Sequence, residues 1–301
     1  MGVKRTLIKL INKLLRLRQD ASHLETNFLY PSGHFYSPII SVTDIRGREH
    51  EIWNKLENED IIGIEQRPTV QLHLLNQLSK YYNEIPFKHG KLQQVRYYFD
   101  NDYYSYTDGI ILYSIIRHFK PKQIIEIGSG FSSAVMLDTN ELFFDNQIDL
   151  TFIEPYPDRL LSLLTEDDHQ QTKIIKEDIQ SVPLDTFQKL TAGDILFIDS
   201  SHVVKTGSDV NFILFKILPI LKKGVLIHFH DIFYPFEYPK DWIFMGRNWN
   251  EIYFLKAFLM YNTEFEILLF SDYLHKFYRE FFSAMPLCYH NCGGNIWIEK
   301  K

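Results

Sequence analysis

The chain has 301 residues, of which 45% are hydrophobic, and it carries a formal net charge of -6 with a sequence pI near 6.1. This length and composition are enough for a large buried core and predict one large domain, or a main domain with an appendage. The acidic balance offers no basic field for a phosphate backbone and argues against a nucleic-acid partner. The two cysteines, Cys288 and Cys292, cannot build a disulfide framework, which is typical of a reducing cytoplasm.

The first 18 residues predict a basic amphipathic helix. Six lysines and arginines and no acid are interleaved with leucines and isoleucines over this segment. It lacks the uninterrupted apolar region of a signal peptide and is too short and too charged to span a bilayer. We expect it to dock on protein, for example in a homo-oligomer, in preference to lying on a membrane surface.

The following residues complete a helical and aromatic N-terminal region over 1–105. Residues 27–38 combine turn formers with aromatic rings and predict an ordered loop near the ligand. Apolar spacing predicts helices around 44–57 and 66–83, and a helix from Tyr103 to Phe119 that leads into the first strand.

Beyond residue 121, short apolar runs alternate with helical stretches, the pattern of a doubly wound parallel sheet. Strands are predicted at 123–128, 149–154, 172–177, 194–199, 224–230, 264–270 and 294–299. Helices are predicted at 131–141, 158–164, 184–190, 208–221 and 249–261, with partial helix at 273–283. The last two strands lack the long crossover that a parallel pair requires, so the final strand should be antiparallel. The predicted fold class is α/β, with a Rossmann-like, mostly parallel seven-stranded sheet over 106–301.

A glycine-rich turn, Glu126-Ile-Gly-Ser-Gly130, ends the first of these strands. Gly128 and Gly130 permit positive φ and a close approach of backbone N–H groups, including that of Ser129, to a nucleotide-like ligand. Ser133 replaces the third glycine of the dinucleotide fingerprint, so the turn alone does not identify a cofactor.

Four acidic residues fall at the ends of predicted strands, namely Glu126, Glu154, Asp178 and Asp199. The carboxyl ends of parallel strands meet at one edge of a sheet, so we expect these carboxylates to surround one crevice. Glu154 is placed to accept hydrogen bonds from a ribose diol, and Asp178 could receive an adenine amino group. Each acid alone could equally be a helix N-cap or a solvated loop residue.

Together with Phe197-Ile-Asp-Ser-Ser-His202, His228-Phe-His-Asp231 and Gly293-Gly-Asn-Ile-Trp-Ile298, these motifs resemble class I S-adenosylmethionine-dependent methyltransferases. The resemblance extends from about Tyr106 to the C-terminus. Within that superfamily, the chain is most similar to the bacterial group that includes macrocin-type sugar O-methyltransferases and cephalosporin-hydroxylase-like proteins.

The resemblance implies specific contacts with S-adenosylmethionine. The glycine-rich turn and Glu126 would hold the methionine moiety, Glu154 the ribose, and Asp178 with Ile179 the adenine. The implied reaction is cytoplasmic O-methylation of a hydroxyl on a sugar, a glycan precursor or a related small molecule.

Methyl transfer to oxygen requires a positioned acceptor and removal of its proton. The candidate catalytic residues are therefore Asp199, His202, His230 and Asp231, with His202 or His230 as the base. His202 could instead cap the following helix, and His228 is expected to pack in or near its strand.

A divalent cation, magnesium or manganese, is a further candidate ligand of Asp199, His230 and Asp231. The related sugar O-methyltransferases present consecutive acids where this chain has His230-Asp231, and an imidazole suits manganese, iron or zinc better than magnesium. A metal-free mechanism, with Asp231 orienting the imidazole of His230, is the alternative.

The stretch from Asp231 to Trp242 predicts a lid or acceptor wall, because it is long and rich in aromatic and proline residues. Arg247 and Glu251, just beyond it, either contact the acceptor or pair with each other at i, i+4 spacing. Two other functions are compatible with the motifs: a nicotinamide-dependent oxidoreductase, and a non-catalytic scaffold that binds S-adenosylmethionine.

Overall fold

The computed structural model describes residues 29–53 and 61–301, in two compact units, residues 1–49 and residues 50–301. In the first unit, turns lead to helix α1 (Val42–Gly47), where the Ser41 hydroxyl accepts a hydrogen bond from the Asp44 N–H at 3.2 Å. The helix predicted over residues 1–18 lies outside the described residues. A domain boundary at residue 105 stays a prediction.

The second unit is built on a seven-stranded sheet in the order β3-β2-β1-β4-β5-β7-β6. Its strands are β1 (Gln123–Ile127), β2 (Asp149–Ile153), β3 (Lys173–Ile175), β4 (Ile195–Ile198), β5 (Leu226–His230), β6 (Phe265–Phe270) and β7 (Asn295–Lys300). Strands β1 to β5 are parallel, and β7 runs antiparallel to both β5 and β6. The predicted fold class, including the antiparallel last strand, is confirmed.

The α-helices that follow α1 connect or cover these strands. They are α2 (Glu49–Ile52), α3 (Pro68–Leu78), α4 (Thr107–Phe119), α5 (Phe131–Phe144), α6 (Asp158–Leu161), α7 (Asp168–Gln171), α8 (Asp185–Gln188), α9 (Asp209–Phe212), α10 (Lys240–Phe244), α11 (Glu251–Leu259) and α12 (Ser271–Phe277). Short 3-10 turns occupy Ser79–Glu84, Ile179–Ser181, Leu218–Ile220, Arg279–Ala284 and Pro286–His290. Among the described residues, no helix is long and apolar enough to cross a membrane.

The helix predicted at 208–221 is only partly regular. It begins as α9 at Asp209, widens into a π-helical turn over Ile213–Ile217 and ends in the 3-10 turn Leu218–Ile220. Pro219 explains the change, since it has no N–H to donate to the preceding turn. The sequence thus predicted the position of this helical segment but not its change from α-helical to π-helical and 3-10 turns.

The centre of the sheet is buried on both faces. Strands β4 and β5 are buried at every residue, and β1 is buried from Ile124 onward, because helices cover both sides of a parallel sheet. Helix α4 is buried from Thr107 to Ile116 and packs against α5. This packing holds the carboxyl ends of β1, β4 and β5 in fixed positions at one edge.

An arginine attaches the segment before α4 to this core. Arg96 forms ion pairs of 2.7 Å with both Asp138 on α5 and Asp168 on α7, and its side chain is 10% exposed. Asp138 also accepts hydrogen bonds from the backbone N–H groups of Arg96 and Tyr97. A buried guanidinium needs such a complete set of partners, so this segment is fixed against α5 and α7.

Candidate active site

Two cavities with shared walls lie at the carboxyl ends of the parallel strands. The first has a volume of about 560 Å³ and is lined by residues that include Gly128, Glu154, Asp178, Ile179 and Asp199. The second has a volume of about 520 Å³ and is lined by residues that include Gly128, Ser129, Gly130, Glu154, Asp199, His202, His230 and Asp231. Apart from Glu126, every site residue predicted from the sequence lines one or both of them.

Gly128 is the point where the β1 turn meets the end of β4. Its φ is +82°, and a Cβ built there would lie 1.7 Å from the backbone carbonyl oxygen of Asp199. The Asp199 N–H donates to the Ile127 carbonyl at 2.9 Å, so the two strand ends cannot separate without losing that bond. Only glycine fits this position.

Glu126 lies behind the turn, with 0% of its surface exposed. It accepts hydrogen bonds from the hydroxyls of Ser132, at 2.6 Å, and Ser133. The Ser133 hydroxyl in turn accepts from the N–H of Gly130 at 3.0 Å. Ser133, which departs from the dinucleotide fingerprint, therefore links the carboxylate to the turn.

Burial raises the pKa of Glu126 to about 8, against the opposing effect of the hydroxyl donors. This carboxyl group supports the turn and does not line either cavity. Its predicted contact with the methionine moiety stays a prediction.

Glu154 ends β2 beside the same turn. One of its carboxylate oxygens accepts from the Ser129 N–H at 3.1 Å, and the other accepts from the Tyr156 N–H at 2.8 Å. Each carboxylate oxygen retains acceptor capacity after one such bond. Glu154 is thus fixed in orientation at the wall common to both cavities.

His202 is at the centre of an acidic cluster in the second cavity and is 5% exposed. Its Nδ1 lies 2.8 Å from Glu251 Oε2, and its Nε2 lies 3.3 Å from Asp199 Oδ1 and 3.5 Å from Asp231 Oδ2. Burial opposes the charged imidazole, but the hydrogen bonds to Asp199 and Glu251 raise the pKa of His202 well above its usual range. The three carboxylates around His202 therefore favour the charged form of its imidazole.

The backbone also fixes His202. Its φ is +59°, and its carbonyl oxygen accepts from the N–H groups of Asn250 and Glu251, each at 3.1 Å. Asp231, after β5, also has a positive φ of +57°. Left-handed conformations are uncommon outside glycine, and here two of them occur within one cluster of candidate catalytic residues.

His230 and Asp231 complete the cluster from the end of β5. His230 Nε2 lies 3.5 Å from Asp231 Oδ1, and within the described part of the chain its Nδ1 has no hydrogen-bond partner although the residue is 4% exposed. Burial opposes charge on this imidazole too, but Asp231 and Asp199 raise the pKa of His230. Donor atoms of Asp199, His230 and Asp231 all lie within 4.8 Å of one another.

Sequence reasoning missed the role of Glu251 and missed Tyr104. Glu251 is 1% exposed and lies against His202, whereas the sequence left open either contact with the acceptor or pairing with Arg247. Tyr104 lies with its ring 5.0 Å from that of His230, and its buried hydroxyl has no partner among the residues described. No sequence pattern marks Tyr104, because its contact is with a distant strand.

Residues 125–232 match the family model described as a methyltransferase domain. An uncharacterized protein of Archaeoglobus fulgidus is 30% identical over 189 residues, which cover 62% of this chain and 84% of that protein. The chain belongs to the class I S-adenosylmethionine-dependent methyltransferases. This assignment decides against the nicotinamide-dependent oxidoreductase.

Solved methyltransferases with low sequence identity are similar to parts of this enzyme. A Podospora anserina methyltransferase with bound S-adenosylhomocysteine has a TM-score of 0.42 at 16% identity, covering 81% of this chain and 100% of its own. The O-methyltransferase of tomaymycin synthesis from Streptomyces achromogenes, in complex with S-adenosylmethionine, has a TM-score of 0.42 at 11% identity, covering 86% and 96%.

The chemistry of the first cavity fits the cofactor of this methyltransferase. Glu154, Asp178 and Asp199 surround a space of about 560 Å³, a size typical of small-molecule sites. Carboxylates accept hydrogen bonds from hydroxyl and amino groups and carry negative charge that attracts a sulfonium. The contacts of Glu154 with the ribose and of Asp178 with the adenine stay predictions. S-adenosylmethionine is the cofactor.

Proposed function

We propose that this methyltransferase acts on a hydroxyl oxygen of a sugar, a glycan precursor or a related small molecule, as the macrocin-type group does. The observation that carries the proposal is the cluster of two histidines and two aspartates in the second cavity, which shares its Gly128 and Asp199 wall with the cofactor cavity. A hydroxyl group, unlike a thiolate, must lose a proton during methylation, and at neutral pH a positioned base assists this loss.

We further propose that Asp199, His230 and Asp231 hold a divalent cation. The donor set of two carboxylates and one imidazole suits manganese, iron or zinc better than magnesium. Nδ1 of His230 is buried and has no hydrogen-bond partner among the described residues, and Asp199 after β4 and Asp231 after β5 offer ligand atoms close to the same imidazole. Both observations support a ligand at this place. A bound cation would supply positive charge that lowers the pKa of the acceptor hydroxyl.

His202 is then the residue that takes the proton. It competes with a cation for the negative charge of Asp199 and Asp231, so cation binding would lower its pKa and leave the imidazole neutral. Glu251 holds Nδ1, which directs Nε2 towards the acceptor end of the cavity. S-adenosylmethionine supplies the methyl group, which leaves sulfur for the acceptor oxygen and yields S-adenosylhomocysteine, a methyl ether and a proton.

The test is methyl transfer from labelled S-adenosylmethionine to D-glucose, D-glucuronate and D-glucose 6-phosphate, with products identified by mass spectrometry. We expect a methyl ether, a loss of rate of about a hundredfold or more after chelation, and recovery with manganese exceeding that with magnesium. Full activity in chelator with no bound metal would exclude the cation. Release of S-adenosylhomocysteine with no methyl ether on any of the three sugars would overturn sugar O-methylation.

A further inference from the structure

One wall of the second cavity carries a positively charged side chain, that of Arg247, which has no role in the proposed methyl-transfer chemistry. The residues of this wall are Trp242, Arg247 and Trp249, and they line the same cavity as His202 and Asp231. We propose that Arg247 and its two indoles form a subsite for an anionic group, a carboxylate or a phosphate, on the methyl acceptor. The inference rests on the proposed function in taking this as the acceptor end of the cavity.

The guanidinium of Arg247 is held by aromatic rings. Its Cζ lies 4.1 Å from the ring centroid of Trp242 and 4.8 Å from that of Trp249. The two indoles pack edge to face, with centroids 5.5 Å apart. The backbone N–H of Arg247 also donates to the backbone carbonyl oxygen of Trp242 at 3.1 Å. Stacking covers a face of the guanidinium and leaves its in-plane N–H donors available for a bidentate anion.

Arg247 has no carboxylate partner in the part of the chain that the structure describes. Among residues 29–53 and 61–301, no carboxylate forms an ion pair with it. Glu251 has the i+4 spacing that normally provides one, but its carboxylate is buried against His202. The positive charge is thus fixed in a cavity and left for a ligand to neutralise.

The subsite lies next to the reacting groups. Trp249 packs against His202 with ring centroids 4.4 Å apart, so a small molecule that contacts Arg247 lies within reach of the histidine. The other arginine of this cavity, Arg159, is stacked on Tyr103 at 3.8 Å and lies against Gly130 of the cofactor turn. The two guanidinium groups are therefore assigned to different ligands.

Acidic residues line the rest of the cavity, so the positive charge of Arg247 indicates which kind of acceptor binds there. Asp102, Glu154, Asp199 and Asp231 all line it, so an anionic acceptor would be repelled without a compensating positive group. A neutral acceptor would need no fixed arginine at this wall. A stacked arginine suits recognition of an anion because little of its side-chain freedom remains to be lost on binding.

The test uses the full-length protein saturated with S-adenosylhomocysteine and its own tryptophan fluorescence, since two of its four tryptophans form the subsite. D-glucuronate and D-glucose 6-phosphate are titrated against neutral D-glucose, which distinguishes a carboxylate from a phosphate. We expect one or both anionic sugars to bind about tenfold or more tightly than glucose, as charge-assisted bidentate hydrogen bonds allow.

Arg247→Gln should abolish this preference while leaving the weak binding of glucose unchanged, and Arg247→Lys should restore it only in part because lysine lacks the planar fork. The matched control is Arg279→Gln, which removes an arginine stacked on Tyr289 at 5.3 Å outside the cavity and should keep the wild-type preference. Equal affinity for charged and neutral sugars, no binding of either anion, or a preference that survives in Arg247→Gln would overturn the subsite.

This readout is independent of turnover. A charge preference without methylation of any sugar would support the subsite while contradicting the proposed sugar O-methylation. Methylation of glucose and glucuronate with equal kcat/KM would support the proposed function and overturn the subsite.

Discussion

Replacing Gly128 with alanine is expected to destabilise the fold by about 4 kcal/mol and to abolish binding of S-adenosylhomocysteine. A left-handed residue other than glycine costs about 1–2 kcal/mol by itself. The new methyl group would also overlap the Asp199 carbonyl oxygen, 1.7 Å from the built Cβ, and force apart the ends of β1 and β4. Thermal unfolding should show a loss of about 10 °C in Tm for a unit of this size.

Gly193→Ala is the control that separates the backbone cost of the left-handed conformation from the overlap with the Asp199 carbonyl oxygen. Gly193 has a similar φ of +88°, but a Cβ there would meet nothing within 4 Å. This control should lose only about 1 kcal/mol, the backbone cost of the left-handed conformation, and should keep its ligand affinity. Equal destabilisation by the two substitutions would show that contact with Asp199 does not matter.

Substituting His202 by asparagine is expected to lower kcat by about 10²–10⁴, a range typical of lost general-base catalysis. Substituting His230 by asparagine is expected to lower turnover through weaker binding of the cation. The two variants should differ in cation binding. His202→Asn should keep manganese affinity, because Asp199, His230 and Asp231 remain, whereas His230→Asn should weaken it about tenfold or more. Asparagine tolerates the φ of +59° at position 202, so the backbone there is preserved.

Initial rates with S-adenosylmethionine and calorimetric titration of manganese measure the two effects. His118→Asn is a suitable control, because this residue lies in the last turn of α4 and packs against Tyr81 outside the cavity. Wild-type turnover in His202→Asn would remove the base assignment. Unchanged manganese affinity in His230→Asn would remove this residue from the cation site.

Much of the sheet was predictable because its strands are continuous apolar runs that end at glycine or acidic residues. The prediction for the first strand, 123–128, differs from β1 by one residue, and that for the fifth, 224–230, overextends β5 by two at its start. The continuous apolar run of a buried parallel strand and the glycine turn after it are both local signals in the sequence. The clustering of acids followed from the topology alone.

Contacts between distant elements could not be predicted in the same way. Glu251 contacts His202, which lies 49 residues away in the sequence, whereas the i, i+4 rule offered pairing with Arg247 as one of two alternatives. The rule describes an exposed helix surface, where two charges have no stronger competitor. Here the buried imidazole of His202 is the stronger competitor for the Glu251 carboxylate. Arg247 stacks instead on the indoles of Trp242 and Trp249, which precede and follow it in the sequence.

Calorimetric titration of the purified full-length protein with S-adenosylhomocysteine, S-adenosylmethionine and NAD tests the central claim most directly. The cavity of Gly128, Glu154 and Asp178 should bind both sulfur-containing ligands at one site per chain and should give no response to NAD. Binding of NAD with no response to either of the other two ligands would contradict the assignment.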